Sequence, residues 1–389
     1  MKIKIIIKRK WLINLTTGLI ISAVVMLLGL LALELLVRKI KPQISYTEAV
    51  KKSSGDFRYN DFVPFSLKPN IKRGNFFTNS HGYRSDEFSI EKPDNTYRVL
   101  VLGDSFVSSM EDDNANAWPQ VMQSILNTNS QKKIEVINAG FHDGYSPDAY
   151  YAYLRGEGLR LQPDLVVLGL YLQNDVGDLK TNQWPKLDEK GLPLKVVSDW
   201  RRIDSQGRQQ DGFPPLRYRY SYLKESHLWI LFADWIDHYI PWLFHPKDEA
   251  KRYSDLINWF YLTYSNCIFK PDCFSNFTIE FNKLLSLLKG TSELLQETNI
   301  SFLIVFQPSR FQVGTMGEIL PEENVFLLQK TIINYFHNNN LTAEFLDLTS
   351  DFRALNAWNY YLVYDTHWNT LGNHRAAQIV ASKIQLMMK

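Results

Sequence analysis

A short apolar run that ends in a glycine-containing turn decides the fold: YRVLVLGDSFVSS, residues 97–109. Its first seven residues are typical of a short strand. Gly103, Asp104 and Ser105 follow at the carboxyl end of that strand. Open α/β sheets place ligand groups at this edge, so the run predicts both a sheet and a site for chemistry at Ser105.

The pattern of a strand followed by a helix recurs along the chain. Further strands are predicted at residues 133–140, 164–171, 300–306 and 343–348, with helical spacing between them. Such alternation indicates βαβ units, and therefore an α/β fold whose parallel sheet is covered by helices on both faces. We assign this domain to residues 95–389.

The alternation stops at residues 178–277, which we interpret as a large insertion after the third strand. This segment holds six of the ten tryptophans. They would form either a carbohydrate-stacking or membrane-facing surface, or the insertion's own small core. Residues 38–94 show little periodicity and are interpreted as a stalk and lead-in segment.

The N-terminus predicts a membrane anchor. Residues 1–10 carry five basic side chains, and residues 11–37 are largely apolar. As a helix this run would reach ~40 Å, more than the ~30 Å hydrocarbon core. It is longer than the core of a cleavable signal peptide, and no A-x-A-like site precedes Arg38, so we favour an uncleaved signal anchor over a cleaved one. Glu34, near the outer end, is expected to reach the interface beside Arg38.

The basic residues on either side of the span predict that the body of the protein lies outside the cytoplasm. Five basic residues precede the span and three follow it. The positive-inside bias therefore favours a single-pass inner-membrane protein with a periplasmic body. The net charge of +2 hides a basic anchor and a mildly acidic remainder, with 35 basic and 40 acidic side chains after residue 41. No nucleic-acid partner is indicated, and neutral glycans are an easier substrate class than polyanions.

The two cysteines, Cys267 and Cys273, lie in CIFKPDC. In an exported body they are expected to pair and close a small loop, the alternative being two free thiols. No metal site is predicted.

Ser105 is the candidate nucleophile. A serine hydroxyl needs a base oriented by a carboxylate, and His367 with Asp365 in YDTHWN supplies both just before the last predicted helix. An oxyanion also needs fixed donors, which the Ser105 N–H, a glycine N–H and the side chain of Asn174 would provide. Gly140 and Gly144 both follow the second strand.

Other polar residues near these positions have simpler interpretations. Asp104 is expected to brace the turn, and Asp175 to hold its loop. His142 is interpreted as a solvent-exposed loop residue. Asn79 and Arg84 in the lead-in segment would either touch substrate or serve packing and capping.

These motifs together resemble the SGNH (GDSL-type) hydrolase superfamily, over roughly residues 95–177 and 278–389. Ser105 matches the nucleophile of block I, Asn174 the asparagine of block III, and Asp365 with His367 the acid and base of block V. The resemblance implies a three-layer α/β/α, flavodoxin-like fold, ester or acyl chemistry, and no cofactor.

Two departures refine the resemblance. Block V is commonly D-x-x-H, whereas D-T-H followed by Trp368 and Asn369 is closer to the alginate O-acetylation branch, which moves acetyl groups on exopolysaccharide outside the inner membrane. The usual spacing from Asn138 to the block II glycine lands on Asp143. We therefore assume a one-residue insertion and prefer Gly144 as the donor, with Gly140 as the alternative.

Three functions are compatible with the sequence. The first is a membrane-anchored serine esterase that removes O-acyl groups, above all acetyl groups, from an envelope or extracellular glycan. The second is an O-acyltransferase that uses the same residues to acetylate an exopolysaccharide. The third is a catalytically silent domain that scaffolds polysaccharide-assembly proteins.

Overall fold

A computed structural model describes residues 9–43, 45, 56–74, 76–109, 112–128, 130–141, 145–198, 201–203, 209–211, 217, 220, 222–239, 267–314, 320–354, 357–362 and 366–388. The α-helices are α1 (Arg9–Ile40), α2 (Ser105–Ser108), α3 (Trp118–Thr128), α4 (Pro147–Gly156), α5 (Leu172–Thr181), α6 (His227–Tyr239), α7 (Pro271–Phe274), α8 (Thr278–Glu297), α9 (Glu322–Val325), α10 (Leu327–Asn338), α11 (Thr349–Ala354) and α12 (Thr370–Met387). The strands are β1 (Phe57–Arg58), β2 (Ser66–Leu67), β3 (Lys72–Arg73), β4 (Phe76–Phe77), β5 (Thr96–Gly103), β6 (Lys133–Gly140), β7 (Leu165–Leu170), β8 (Gln183–Leu187), β9 (Pro193–Val197), β10 (Arg201–Ile203), β11 (Gln209–Asp211), β12 (Ser301–Phe306) and β13 (Glu344–Asp347).

The core is a five-stranded sheet in the order β13-β12-β7-β5-β6. Every neighbouring pair in it is parallel. Its strands match the five apolar runs predicted from the sequence to within one residue at each end. The α/β prediction with a parallel sheet is therefore confirmed.

Side chains of β5 alternate between two separate hydrophobic cores. Leu100 and Leu102 pack on one face of the sheet with α4, α8 and α10. Val99 and Val101 pack on the other face with α3 and α12. Both faces of a strand must be covered when both are apolar, and the result is the three-layer α/β/α arrangement that the resemblance implied.

The carboxyl ends of three neighbouring strands carry glycines that accept the side chain of Val107. A Cβ on Gly140 would lie 2.7 Å from Val107 Cγ1, and one on Gly169 would lie 2.6 Å from Val107 Cγ2. A Cβ on Gly103 would also meet Val107. The helical turn that begins at Ser105 can therefore sit directly on the sheet.

The chain forms two compact units, residues 54–212 with 252–389, and residues 1–53 with 213–251. The first contains the sheet; the second contains α1 and α6. This division was not foreseen, because the sequence pattern treats residues 178–277 as one insertion. The domain boundaries given above remain predictions.

The first part of the predicted insertion packs on the sheet-containing unit. Strands β8 and β9 form a hairpin. Trp184 Nε1 donates to the buried carboxylate of Asp148 over 2.6 Å, and Val196 N donates to Phe62 O over 2.8 Å. Trp184 is thus half-buried and packs against the core. Trp200, Trp242 and Trp259 lie outside the described residues; Trp229 and Trp235 lie on α6.

Residues 57–88 are packed rather than extended as a stalk. Phe57, Val63 and Phe65 are buried in the same core as β5. Tyr83 Oη lies 2.6 Å from Tyr153 Oη on α4. The lead-in segment has little periodicity because its burial comes from turns and aromatic anchors, not from a regular helix or strand.

The N-terminal helix α1 includes a candidate membrane span, Asn14–Ile40, whose most apolar part is unburied.

Cys267 and Cys273 are joined in a disulfide, with their Cα atoms 4.9 Å apart.

The close approach of Val107 to Gly103, Gly140 and Gly169 predicts that added side-chain volume at these glycines destabilises the fold. We expect Gly169→Ala to lower the free energy of unfolding by about 1–3 kcal/mol, because its methyl group overlaps Val107 Cγ2 in a closely packed layer. Val107→Ala removes that overlap, so the double variant should lose less than the sum of the two single losses in chemical denaturation. Strict additivity would show that the two side chains do not compete for one space.

Candidate active site

Ser105 begins α2 on the turn that follows β5. Asp104 caps this helical turn, its Oδ1 accepting a hydrogen bond of 2.9 Å from Phe106 N. Such a cap satisfies a backbone N–H that has no partner within the helix. Ser105 is half-buried, whereas Asp104 and Phe106 are buried. Its buried neighbours thus fix the turn, and of these three residues only Ser105 reaches the surface.

His367 meets Ser105 although 262 residues separate them. Its Nε2 lies 2.7 Å from Ser105 Oγ. This is the distance expected between a serine nucleophile and its general base. The imidazole also lies against the ring of Phe106, with 5.0 Å between ring centroids.

The two residues that follow His367 in the D-T-H-W-N sequence both have structural roles. Trp368 is buried against Phe106 and Phe352, with centroid distances of 5.2 and 5.0 Å. Asn369 caps α12, its Oδ1 accepting a hydrogen bond from Gly372 N over 3.1 Å. The tryptophan and the asparagine therefore hold in place the chain that directly follows the histidine.

Asp365 lies outside the described residues, so its predicted role as the triad acid stays a prediction. With Nε2 of His367 directed at Ser105, Nδ1 is the ring nitrogen that a triad carboxylate would contact.

Asn174 is held by the residue that precedes the nucleophile. It lies in the first turn of α5, just after β7, and its Nδ2 donates to Asp104 Oδ2 over 3.0 Å. The Asn174 Oδ1 is buried and has no hydrogen-bond partner among the described residues. One amide hydrogen is thus fixed by Asp104, and the role of Asn174 as an oxyanion donor stays a prediction. The sequence indicated that Asp104 braces the turn, but not that it also orients Asn174.

The glycine donor is the least complete part of the site. Gly140 N donates to Asn138 Oδ1 over 2.9 Å, and Phe141 N donates to Gly103 O over 3.1 Å. These N–H groups are therefore engaged, which weakens Gly140 as the alternative donor. Gly144 lies outside the described residues, as does His142. Ser105 N makes no hydrogen bond in the part of the chain that the structure describes.

Two buried carboxyl groups lie beneath the site. Burial, above all, raises the pKa of Asp104 and of Asp175, and the neighbouring Asp104 raises the pKa of Asp175 further. Asp175 accepts hydrogen bonds of 2.8 Å from Tyr150 Oη and from Tyr171 N. It holds the loop, as predicted.

The lead-in residues Asn79 and Arg84 support the fold. Arg84, 1% exposed, donates to Asn114 Oδ1, Ser108 O and Asp112 O. Asn79 Oδ1 accepts from two backbone N–H groups within its own turn. Of the two interpretations given above, the structure therefore favours packing and capping. Arg84 also holds the chain that follows α2, which no local pattern in the sequence indicates. No group of metal-ligating side chains occurs within the described ranges.

Comparison with known proteins identifies the C-terminal part of this site. Residues 272–389 match a family described as the SGNH hydrolase-like domain of the acetyltransferase AlgX. The match covers less than half of the chain, and over these residues the chain is similar to an SGNH hydrolase-like domain. The match includes the D-T-H-W-N loop and supports the predicted alginate O-acetylation branch of the superfamily. The predicted enzyme class, an ester hydrolase or a related O-acyltransferase, agrees with it.

Solved structures give weaker likenesses. An acetyl xylan esterase, AlAXEase, is 15% identical over 74% of this chain and 100% of its own, with a TM-score of 0.40. The acetylxylan esterase Axe2 from Geobacillus stearothermophilus is 11% identical over 74% and 94%, with a TM-score of 0.40. A lipase/acylhydrolase from Enterococcus faecalis is 12% identical over 74% and 95%, with a TM-score of 0.37. A search of curated proteins finds no match.

The Asp104–Asn174 hydrogen bond predicts that these two residues act as one unit. Asn174→Ala should lower kcat by about 10²–10³-fold, as expected for the loss of one oxyanion donor. Asp104→Asn should cause a comparable loss, because its new amide would face the Asn174 amide and turn the donor away from the site.

Steady-state kinetics of the double variant Asp104→Asn/Asn174→Ala checks this coupling. We expect it to be no slower than Asn174→Ala alone, with each variant's melting temperature confirming that it is folded. If the two losses multiply instead, Asp104 does not act through Asn174.

Proposed function

We propose that this protein is a membrane-anchored serine esterase that removes O-acetyl groups from an envelope or extracellular glycan. The observation that carries this proposal is the 2.7 Å contact between Ser105 Oγ and His367 Nε2 at the carboxyl edge of the sheet. Asn174 and the Ser105 N–H supply donors beside that contact, and Asp365 is the proposed acid. No cofactor is required by these steps.

The chemistry proceeds through an acyl-serine. His367 Nε2 accepts the Ser105 proton as Oγ attacks the ester carbonyl, and the resulting oxyanion is held by Asn174 Nδ2 and Ser105 N. The imidazolium then gives its proton to the departing sugar oxygen, which leaves acetyl-Ser105. Water, deprotonated by His367, attacks this ester, and acetic acid leaves as that proton passes to Ser105 Oγ; the acid then ionises to acetate in solvent.

A second candidate function is O-acetyl transfer to a sugar hydroxyl. The match of residues 272–389 to the domain of the acetyltransferase AlgX favours it. Transfer uses the same acetyl-serine, and a sugar hydroxyl replaces water in the second half of the reaction. The residues at Ser105 serve both outcomes equally, so the accessibility of the acyl-enzyme to water decides between them.

The proposed location is the inner membrane, with the catalytic unit on the periplasmic side. Support comes from the 27-residue apolar part of α1, Asn14–Ile40, and from the basic residues that precede it. An enzyme held in this way would meet glycans that are being assembled or modified outside the membrane. Polysaccharide-assembly proteins are therefore proposed as partners.

Ser105 should be required for turnover and for covalent trapping. We expect the full chain to hydrolyse a chromogenic phenol acetate and to be labelled by a serine-directed phosphonate at Ser105, as read by peptide mass spectrometry. Ser105→Ala should lose both. Ser124→Ala, an exposed serine on α3, is the matched control and should keep both. Folded wild-type protein that shows neither turnover nor label would instead favour the scaffold function.

Hydrolysis and transfer differ in the fate of the acetyl group. We expect acetate release from an acetylated oligosaccharide at a rate that does not depend on an added unacetylated acceptor. The two products, free acetate and acetylated acceptor, can be separated by chromatography. Acetate release suppressed by the acceptor, with acetyl groups recovered on it, would establish the transferase instead.

A further inference from the structure

Helix α6 is apolar on two different faces. Ile230, Ala233 and Ile236 form one stripe and are at most 2% exposed. A second stripe faces outward and contains Phe232 and Trp235, which are 48% and 47% exposed. Large aromatic side chains that are exposed together on one helix mark a contact with a partner or with a membrane. The outward stripe therefore calls for an apolar environment beyond the protein's own core.

The start of α6 is bonded to the membrane helix α1. The carboxylate of Glu34 accepts hydrogen bonds of 2.8 Å from Ser226 Oγ, 3.1 Å from His227 N and 2.8 Å from Leu228 N. Arg38 Nε donates to the same carboxylate over 2.6 Å. The contact between Glu34 and Arg38 was expected from the sequence, whereas the cap on α6 was not. An acidic side chain within an apolar helix is thus compensated by a cation and a helix N-terminus.

A further contact holds the two segments together. Gln43 N, just after α1, donates to His227 Nδ1 over 2.8 Å. Both contacts join the outer end of α1 to the first turn of α6.

These contacts fix the depth of α6 relative to the span. Glu34 lies six residues before Ile40, where α1 ends, which is about 9 Å along a helix axis. When the ~30 Å hydrocarbon core of the bilayer is centred on the span Asn14–Ile40, Glu34 lies near the boundary between the hydrocarbon and the headgroups. Helices with an exposed apolar face settle at that boundary, and tryptophan side chains are enriched there.

We propose that α6 is an interfacial helix that Glu34 holds at the periplasmic surface of the inner membrane. The face of α6 that carries Phe232 and Trp235 inserts into the lipid boundary. This inference rests on the proposed membrane anchoring by α1. The helix carries two acidic residues, Asp234 and Asp237, and no lysine or arginine. Apolar insertion, rather than attraction to anionic lipid, therefore drives the contact.

The test uses the full chain in phosphatidylcholine nanodiscs. The two native cysteines are paired, so a single added cysteine can carry a nitroxide label. Phe232→Cys probes the outward face of α6. Leu28→Cys in α1 is the hydrocarbon reference, and Ile279→Cys, an exposed residue of α8, is the aqueous reference. Collisional relaxation by oxygen and by a water-soluble nickel chelate reports the depth of each label.

We expect the ratio of oxygen to nickel accessibility at position 232 to be several-fold above that at position 279 and below that at position 28. A ratio equal to that at position 279 would overturn the inference, whether the aromatic face then meets water or a glycan. A water-like ratio at position 28 would instead contradict the membrane anchoring itself. The two failures are therefore distinguishable.

Two further variants complete the test. With Glu34→Ala, the label at position 232 should lose its lipid accessibility while the label at position 28 keeps it; no change at position 232 would overturn the role of Glu34. Should Phe232→Cys fail to fold, brominated phosphatidylcholine provides a second measurement. It should quench wild-type tryptophan fluorescence more than that of Trp235→Phe, and equal quenching would overturn the inference.

Discussion

The seating of Val107 among three glycines is the constraint on which the site depends. Gly103, Gly140 and Gly169 lie at the carboxyl ends of three adjacent strands, and a side chain at any of them would collide with Val107. Because these positions are empty of side chains, the helical turn that carries Ser105 rests on the sheet edge itself. Because this base is closely packed, any displacement of the turn would disrupt the packing. Acyl transfer needs its reacting groups placed to within fractions of an ångström.

Asp104 connects this packing to the chemistry. One carboxylate oxygen caps the turn at Phe106 N, and the other orients Asn174. Burial disfavours the charge, as the raised pKa of Asp104 reflects, but two hydrogen bonds offset part of that cost. The nucleophile and the proposed oxyanion donor are thus positioned by one side chain. Loss of both oxygens would disturb both groups, whereas an asparagine at this position would keep an oxygen to cap Phe106 N.

Local sequence predicted the sheet well and the remainder less well, for physical reasons. The five strands are short apolar runs, so burial of each can be read from its own residues. Ser105 and Asn174 could be placed together because parallel strands bring their carboxyl ends to one edge, and His367 was joined to them because a serine nucleophile needs a base. Asp365 and Gly144 stay predictions. The packing of residues 57–88 escaped prediction because turns and single aromatic anchors have no period, and the pairing of α1 with α6 escaped because it depends on contacts between residues some 190 positions apart.

Acidic side chains perform the same physical task twice in this protein. Asp104 caps the turn of its own chain segment, whereas Glu34 caps a helix that begins 193 residues later. In both cases unpaired N–H groups at the start of a helix stabilise a carboxylate that its surroundings would otherwise disfavour. The local cap fixes the turn that carries Ser105. The distant cap joins two chain segments that share no sheet and fixes where an aromatic helix begins relative to the apolar span.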